Sequence, residues 1–271
     1  MCIMVILHYL GITFSHTFRT ILIFLPIIVS CCFIELFSTF ANRRFAGKFG
    51  MCGILPFAII GTPIHELSHA IVAFLTGHRI EELALFRPNP LTGELGHLKH
   101  SWNDRNPFQK FIGNPLIAIA PFFGGALILY FLTKLLMPQL IIGNTLPALS
   151  SNLLGDFYQF ETYIVTLFDG TVSMLRMFFK WRNLLSIKFY IYVLLVLGIS
   201  LHLAPSRQDF VHFWTYLFGL LVIIFSINLI FPHFSVFLEF HFVGFLLKLH
   251  PLLSLAAFFS LVSALIAGLL L

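Results

Sequence analysis

An apolar run long enough to cross a bilayer, Met51 to Leu75, carries His65, Glu66 and His69 as a His-Glu-x-x-His string. In lipid the backbone must satisfy its own polar groups, so such a run folds as a helix. At a rise of about 1.5 Å per residue His65 lies roughly 20 Å along it, near a bilayer midplane. Ionisable groups at that depth each cost on the order of 3 kcal/mol unless paired or ligated, and this cost marks them as functional. On a helix, positions i and i+4 are about 40° apart, so both imidazoles point the same way and can share one metal ion. Zn²⁺ suits imidazole nitrogen and keeps a position for water when catalytic. Glu66, beside the first histidine, is placed to take a proton from such a water.

Composition agrees with a membrane setting. The chain is 59% hydrophobic and 10% charged, with a mean hydropathy of +0.95. Soluble domains run near 25% charged, so an all-α, multi-span membrane protein is predicted. The 34 phenylalanines are expected to face lipid or fill helix contacts. A formal charge of +5 fits loops near anionic headgroups, and no basic cluster with interleaved aromatics points to nucleic acid. Cys2, Cys31, Cys32 and Cys52 lie in apolar sequence without metal-ligand spacing and read as small helix-packing residues. The first 18 residues lack a positive n-region, so the chain is expected to insert through its own first span.

In order, residues 1–19 read as a short amphipathic or interfacial segment, with His8 and His16 at the membrane surface. Thr20 to Phe40 is a first span, with Glu35 inside it. Asn42-Arg43-Arg44 and Lys48 form a basic, Gly-punctuated turn, predicted to be cytoplasmic. The motif helix covers about 54–76, with Pro63 placed to kink it. Gly77 to Lys110 is polar, and Glu82 to Trp102 offers two short alternating runs around Pro88 to Gly93, either a hairpin or a solvated loop. As a hairpin beside the site it could hold a substrate by strand addition. His97 and His100 are expected at the surface. Phe111 to Leu136 is another span, where Gly124-Gly125 suits close helix approach. Leu153 to Phe179 is amphipathic. Ile187–Leu203, Phe210–Phe231 and Pro251–Leu271 complete about six crossings in a single polytopic domain over 1–271. Basic residues on both sides of the motif helix leave its orientation open.

Two histidines leave a metal short of ligands, and a third is expected from His, Glu or Asp elsewhere. Asp209 follows a Pro-containing break between two apolar segments, and irregular backbone is tolerated in a membrane where it lines a polar cavity. Asp169, in Leu167-Phe168-Asp169-Gly170, sits in the amphipathic region. Asp209 is the favoured ligand and Asp169 the alternative.

His65-Glu66-Leu67-Ser68-His69-Ala70 in an apolar helix, followed by an Asp behind a Pro-containing break, resembles the site-2 protease-like intramembrane zinc metalloproteases. That family's second motif is an Asn-x-x-Pro run leading to Asp-Gly. His202-Leu203-Ala204-Pro205 leading to Asp209, over about 202–210, is similar in layout, with His in place of Asn and Phe210 in place of Gly. Leu167 to Gly170 has the Asp-Gly pair without the upstream Asn and Pro. The resemblance implies a divergent member that hydrolyses peptide bonds in or near transmembrane segments of a substrate helix, with Zn²⁺ on His65, His69 and Asp209. It implies Glu66 as the base, and His202, Ser206 and Arg207 as channel-lining or oxyanion contacts. The expected location is a multi-pass position in a bilayer, such as a bacterial cytoplasmic membrane. No signal in the sequence bears on oligomeric state.

Two other readings compete. One is a non-catalytic metal-binding membrane protein, either a transporter or an inactive protease relative. Glu66 argues against it, because a metal carrier needs only the histidines and a transporter needs more intramembrane carboxylates. The other, a zinc protease opening to an aqueous chamber, would have more charge around its motif helix.

Overall fold

The computed structural model describes residues 2–142, 157–203, 213–231 and 234–269. Its helices are α1 (Cys2–Phe49), α2 (Leu55–Leu75), α3 (Asn114–Leu136), α4 (Gln139–Ile142), α5 (Phe157–Phe178), α6 (Trp181–Leu184), α7 (Ile187–Ser200), α8 (Phe213–Ile230) and α9 (Phe234–Leu269). The strands β1 (Arg79–Ala84) and β2 (His97–Ser101) form one antiparallel pair. Among the described residues four helical stretches are long and apolar enough to cross a bilayer: Ile6–Gly53, Leu55–Leu75, Gln109–Leu136 and His241–Leu269. Two segments expected to span, Ile187–Leu203 and Phe210–Phe231, contain the shorter apolar helices Ile187–Ser200 and Leu221–Ile230.

The N-terminal region departs from expectation. An interfacial segment, a first span and a basic loop were predicted over residues 1–50, but one 48-residue helix runs from Cys2 to Phe49. The polar residues that suggested a break are compatible with helix. Thr13, Thr17 and Thr20 are buried, and each donates its hydroxyl to the carbonyl four residues back. They face α8, where the Asn228 carboxamide reaches Thr17 and Leu229 accepts from the Tyr9 hydroxyl. At the other end the basic residues continue the helix, with Arg44 over the Phe40 ring and Lys48 in the last turn, where cations complement the helix dipole. The chain turns at Gly50, whose φ of 61° lies in the left-handed region.

The motif helix α2 is held between α3 and α7 by residues without bulk. A Cβ on Gly61 would collide with the Gly198 carbonyl and the His202 ring, and one on Gly124 would collide with the Ser68 hydroxyl. Lipid tails are as apolar as leucine, so close van der Waals approach rather than hydrophobic burial drives such contacts. The expected role of Gly124-Gly125 is borne out, because a Cβ on Gly125 would stand 3.0 Å from Leu203. A hydrogen bond of 2.8 Å between the fully buried Thr133 and Tyr192 hydroxyls ties α3 to α7. Behind them a single apolar cluster joins Ile23 and Ile34 of α1, Leu129 of α3, Met174 of α5, Ile199 of α7 and Leu253 of α9. Helix α5 is amphipathic as predicted: Tyr163, Leu167 and Met174 are buried, while Glu161, Asp169 and Arg176 are exposed.

The polar stretch after α2 is the predicted hairpin. Arg79 pairs with Ser101 and Ala84 with His97, with a bulge between Ile80 and Glu82. The connection closes through Arg87 N–H to Leu95 O and Asn89 N–H to Glu94 O, with Gly93 at a φ of 75°. Its base is anchored to the helices. Buried His78 contacts Thr76 and Asn114 and stacks edge-on with His100, and the Gln109 carboxamide donates to Gly77 O. His97 and His100 are therefore half-buried rather than at the surface: His97 lies between Glu82 and Glu94, and His100 lies against His78 and Trp102.

Candidate functional site

His65 and His69 project from α2 toward two different neighbours. His65 Nδ1 donates to the carbonyl of His202 at 2.8 Å. That carbonyl is available because α7 ends at Ser200, and the last carbonyls of a helix have no partner within it. The carbonyls of Ser200, Leu201 and His202 are each taken by a side chain of a different helix. Ser260 of α9, Asn42 of α1 and His65 of α2 bond them at 3.3, 3.0 and 2.8 Å.

His69 is buried and its Nδ1 donates to the carbonyl of Ile117 at 2.7 Å. Inside a helix that carbonyl would normally accept the N–H of residue 121. Residue 121 is proline, which has no N–H and whose ring crowds the carbonyl four residues back. Each histidine is thus oriented by a carbonyl its own helix cannot use, one freed by a helix end and one by a proline.

A carbonyl only accepts, so both Nδ1 atoms carry the proton and both Nε2 atoms present lone pairs when the rings are neutral. The two Nε2 atoms face each other at 3.1 Å, with the ring planes 77° apart. Two lone pairs that close are stabilised by a positive charge between them, either a shared proton or a metal ion. Two imidazole nitrogens on one tetrahedral zinc, with Zn–N bonds near 2.0–2.1 Å, stand about 3.3 Å apart. Histidine ligands commonly donate their second nitrogen to a backbone carbonyl. The donor pair therefore fits zinc in spacing, tautomer and orientation.

Glu66 is buried on the side of α2 that faces the hairpin. A Cβ on Gly96 would stand 3.0 Å from Glu66 Cγ and 2.9 Å from the Thr62 methyl. Thr62 lies one turn before Glu66, is 4% exposed, and its hydroxyl has no hydrogen-bond partner among the described residues. Glu66 and Thr62 thus both lie against the hairpin where its loop enters β2.

Of the other predicted residues, His202 is at the site. Its side-chain Nδ1 donates to Gly198 O at 3.1 Å, leaving Nε2 buried and unpartnered among the described residues. In that tautomer Nε2 is an acceptor, suited to a water or an amide N–H; stabilising an oxyanion would require its protonation. Ser206, Arg207 and Asp209 lie outside the described residues. Asp169 is exposed on α5, a helix that packs on α9 and α4. Among the described residues no third His, Cys, Asp or Glu completes a metal-holding set with His65 and His69. The sequence reading missed Pro121 and Asn42. Pro121 could have been found by asking which helix-interior proline frees a carbonyl, whereas Asn42 was read as part of a loop and gave no such signal.

No family model matches the chain, and no curated protein or solved structure matches it.

Proposed function

We propose that this chain is a membrane-embedded zinc metalloprotease of the site-2 protease-like kind, hydrolysing peptide bonds in or near transmembrane segments. The observation that carries the reading is the pair of carbonyl-locked imidazoles whose Nε2 atoms face each other at 3.1 Å. His65 and His69 would hold Zn²⁺ through Nε2, with Asp209 as the favoured third ligand and Asp169 as the alternative. Bound zinc supplies a Lewis acid that polarises a carbonyl and makes water nucleophilic near neutral pH.

The remaining work falls to the chain's own residues. The Glu66 carboxylate accepts a proton from the attacking water and returns it to the amine nitrogen as the C–N bond breaks. The hairpin, with its two strands paired only to each other among the described residues, offers an outer edge to a substrate segment that has unwound to extended backbone. His202 Nε2 accepts from a water or a substrate N–H. The reading takes six crossings: the four long helices plus those through Ile187–Ser200 and Phe213–Ile230.

The test is zinc content and cleavage of reconstituted single-span substrates by wild type, Glu66→Gln and His65→Ala. Glu66→Gln keeps shape but cannot take the proton, so zinc should stay near wild type while cleavage falls by about 10²–10⁴. His65→Ala should lose both. Glu66→Gln cutting as fast as wild type sinks the hydrolase reading. Zinc-loaded wild type that cuts nothing favours a non-catalytic metal-binding protein.

A further inference from the structure

We infer that Pro121 is a positioning residue of the site, dedicating the Ile117 carbonyl to His69. The inference rests on the reading of His65 and His69 as a metal-holding pair. Proline is among the costliest residues in a helix interior, and here it lies in the middle of a transmembrane helix. Its fixed ring removes the N–H that would occupy Ile117 O and pushes that carbonyl away from the helix axis. The hydrogen bond that fixes His69 Nδ1 is then made to this carbonyl at 2.7 Å. With an N–H at position 121 the carbonyl would divide between its helix partner and His69. The imidazole would lose both its orientation and the bias that keeps its proton on Nδ1. Elsewhere α3 runs unbroken from Asn114 to Leu136, so at this point it is the proline that releases the carbonyl from its helix partner.

The experiment compares wild type, Pro121→Ala and Pro121→Val, which both restore the N–H, the second with a side chain nearer proline in bulk. Pro251→Ala, which mends a proline in α9, a helix that packs chiefly on α1, α5 and α7, is the control. Zinc affinity is read by chelator competition. The protonation and hydrogen bonding of the His69 ring are read by nitrogen-15 NMR on the metal-free, detergent-solubilised protein. Both Pro121 variants should melt at or above the wild-type temperature yet bind zinc about tenfold more weakly, the loss typical when a ligand's hydrogen-bond partner is removed. Their His69 signal should move toward mixed tautomers, while Pro251→Ala leaves affinity and signal unchanged. Wild-type affinity together with an unchanged His69 signal in both variants overturns the inference. So does an equal loss in Pro251→Ala, which would make the effect one of general helix packing. If wild type binds no zinc, the metal reading fails, and the His69 signal in metal-free protein still decides the role of Pro121.

Discussion

Gly96, where the loop of the hairpin enters β2, lies directly against Glu66 of the motif helix: a Cβ there would stand 3.0 Å from Glu66 Cγ, 2.9 Å from the Thr62 methyl and 2.7 Å from the Ala84 carbonyl. Three neighbours on two elements cannot all yield, so Gly96→Ala should lift the hairpin from α2. Displacement of a substrate-holding element by about 1 Å can cost 10²-fold in rate. Cleavage by Gly96→Ala is expected to fall by about ten- to a hundredfold, with zinc content unchanged because both histidines lie on α2. Parallel rate and zinc measurements check this. Loss of zinc alongside activity would mean that the hairpin supports the histidines themselves.

Asn42 offers a way to reach a carbonyl that mutation cannot delete. It holds Leu201 O at 3.0 Å, next to the His202 carbonyl that orients His65. Asn42→Leu removes the donor at similar size and leaves a carbonyl unsatisfied, a cost of about 1–3 kcal/mol. It should lower the melting temperature and weaken zinc binding several-fold. Ser260→Ala removes the comparable bond to Ser200 O, two residues from the His65 partner, and should cost stability without changing zinc affinity. Calorimetry and chelator competition on the two variants give the comparison.

The hairpin carries a pH-dependent link outside the apolar helices. Lys99, hydrogen-bonded to Glu82 at 2.6 Å, holds the Glu82 carboxyl below its ordinary range, with His97 adding to the effect. The same bond raises Lys99 above the usual lysine value. The folded hairpin thus favours the carboxylate. Its contribution is complete above the ordinary carboxylate range and is lost as pH falls through the lowered value. Arg87 and Glu94 also border this cluster, and its Glu82–Lys99 pair is exposed enough for salt to screen. Amide protection at Leu83 and Leu98, relative to the unstructured exchange rate at each pH, should therefore fall in acid more in wild type than in Glu82→Gln, and high salt should narrow the difference. Equal acid sensitivity in both proteins would exclude the pair as the cause.

The helical membrane class, the bounds of α2 and the hairpin were legible because each rests on local pattern: an apolar run, a start near Pro56, alternation around a Gly-Pro turn. The span Thr20–Phe40 lies inside the long helix, but residues 1–19 were misread as a separate segment because hydroxyl groups look polar in sequence, whereas Thr13, Thr17 and Thr20 satisfy themselves on their own helix and stay compatible with burial. His65 and His69 were legible from spacing alone. What orients them was not, because it lies 137 and 48 residues away in carbonyls that have no side-chain signature. The Pro121 gap is sequence-visible in principle, but which histidine fills it depends on α3 packing beside α2.

If His65 and His69 hold zinc as proposed, Asp209 rather than Asp169 should complete the set. The His202 carbonyl already touches His65, so the chain leaving this point starts at the site. Asp209 follows seven residues on, and seven residues span at most about 25 Å, so chain length alone permits its carboxylate to reach the Nε2 pair. Asp169 starts from a worse place: it is exposed, on a helix whose neighbours are α9 and α4, and it forms no metal-holding set with the two histidines. Asp209→Asn keeps the side-chain size but removes the anionic oxygen that zinc prefers, so it should lose zinc along with activity. Asp169→Asn should keep both, because an exposed carboxylate on the far helix can change without touching α2. Metal analysis of the two purified variants separates the assignments. Zinc lost from Asp169→Asn and kept by Asp209→Asn would move the ligand to α5 and require that helix to approach α2 when metal binds. Zinc kept by both would mean that neither carboxylate is the third ligand.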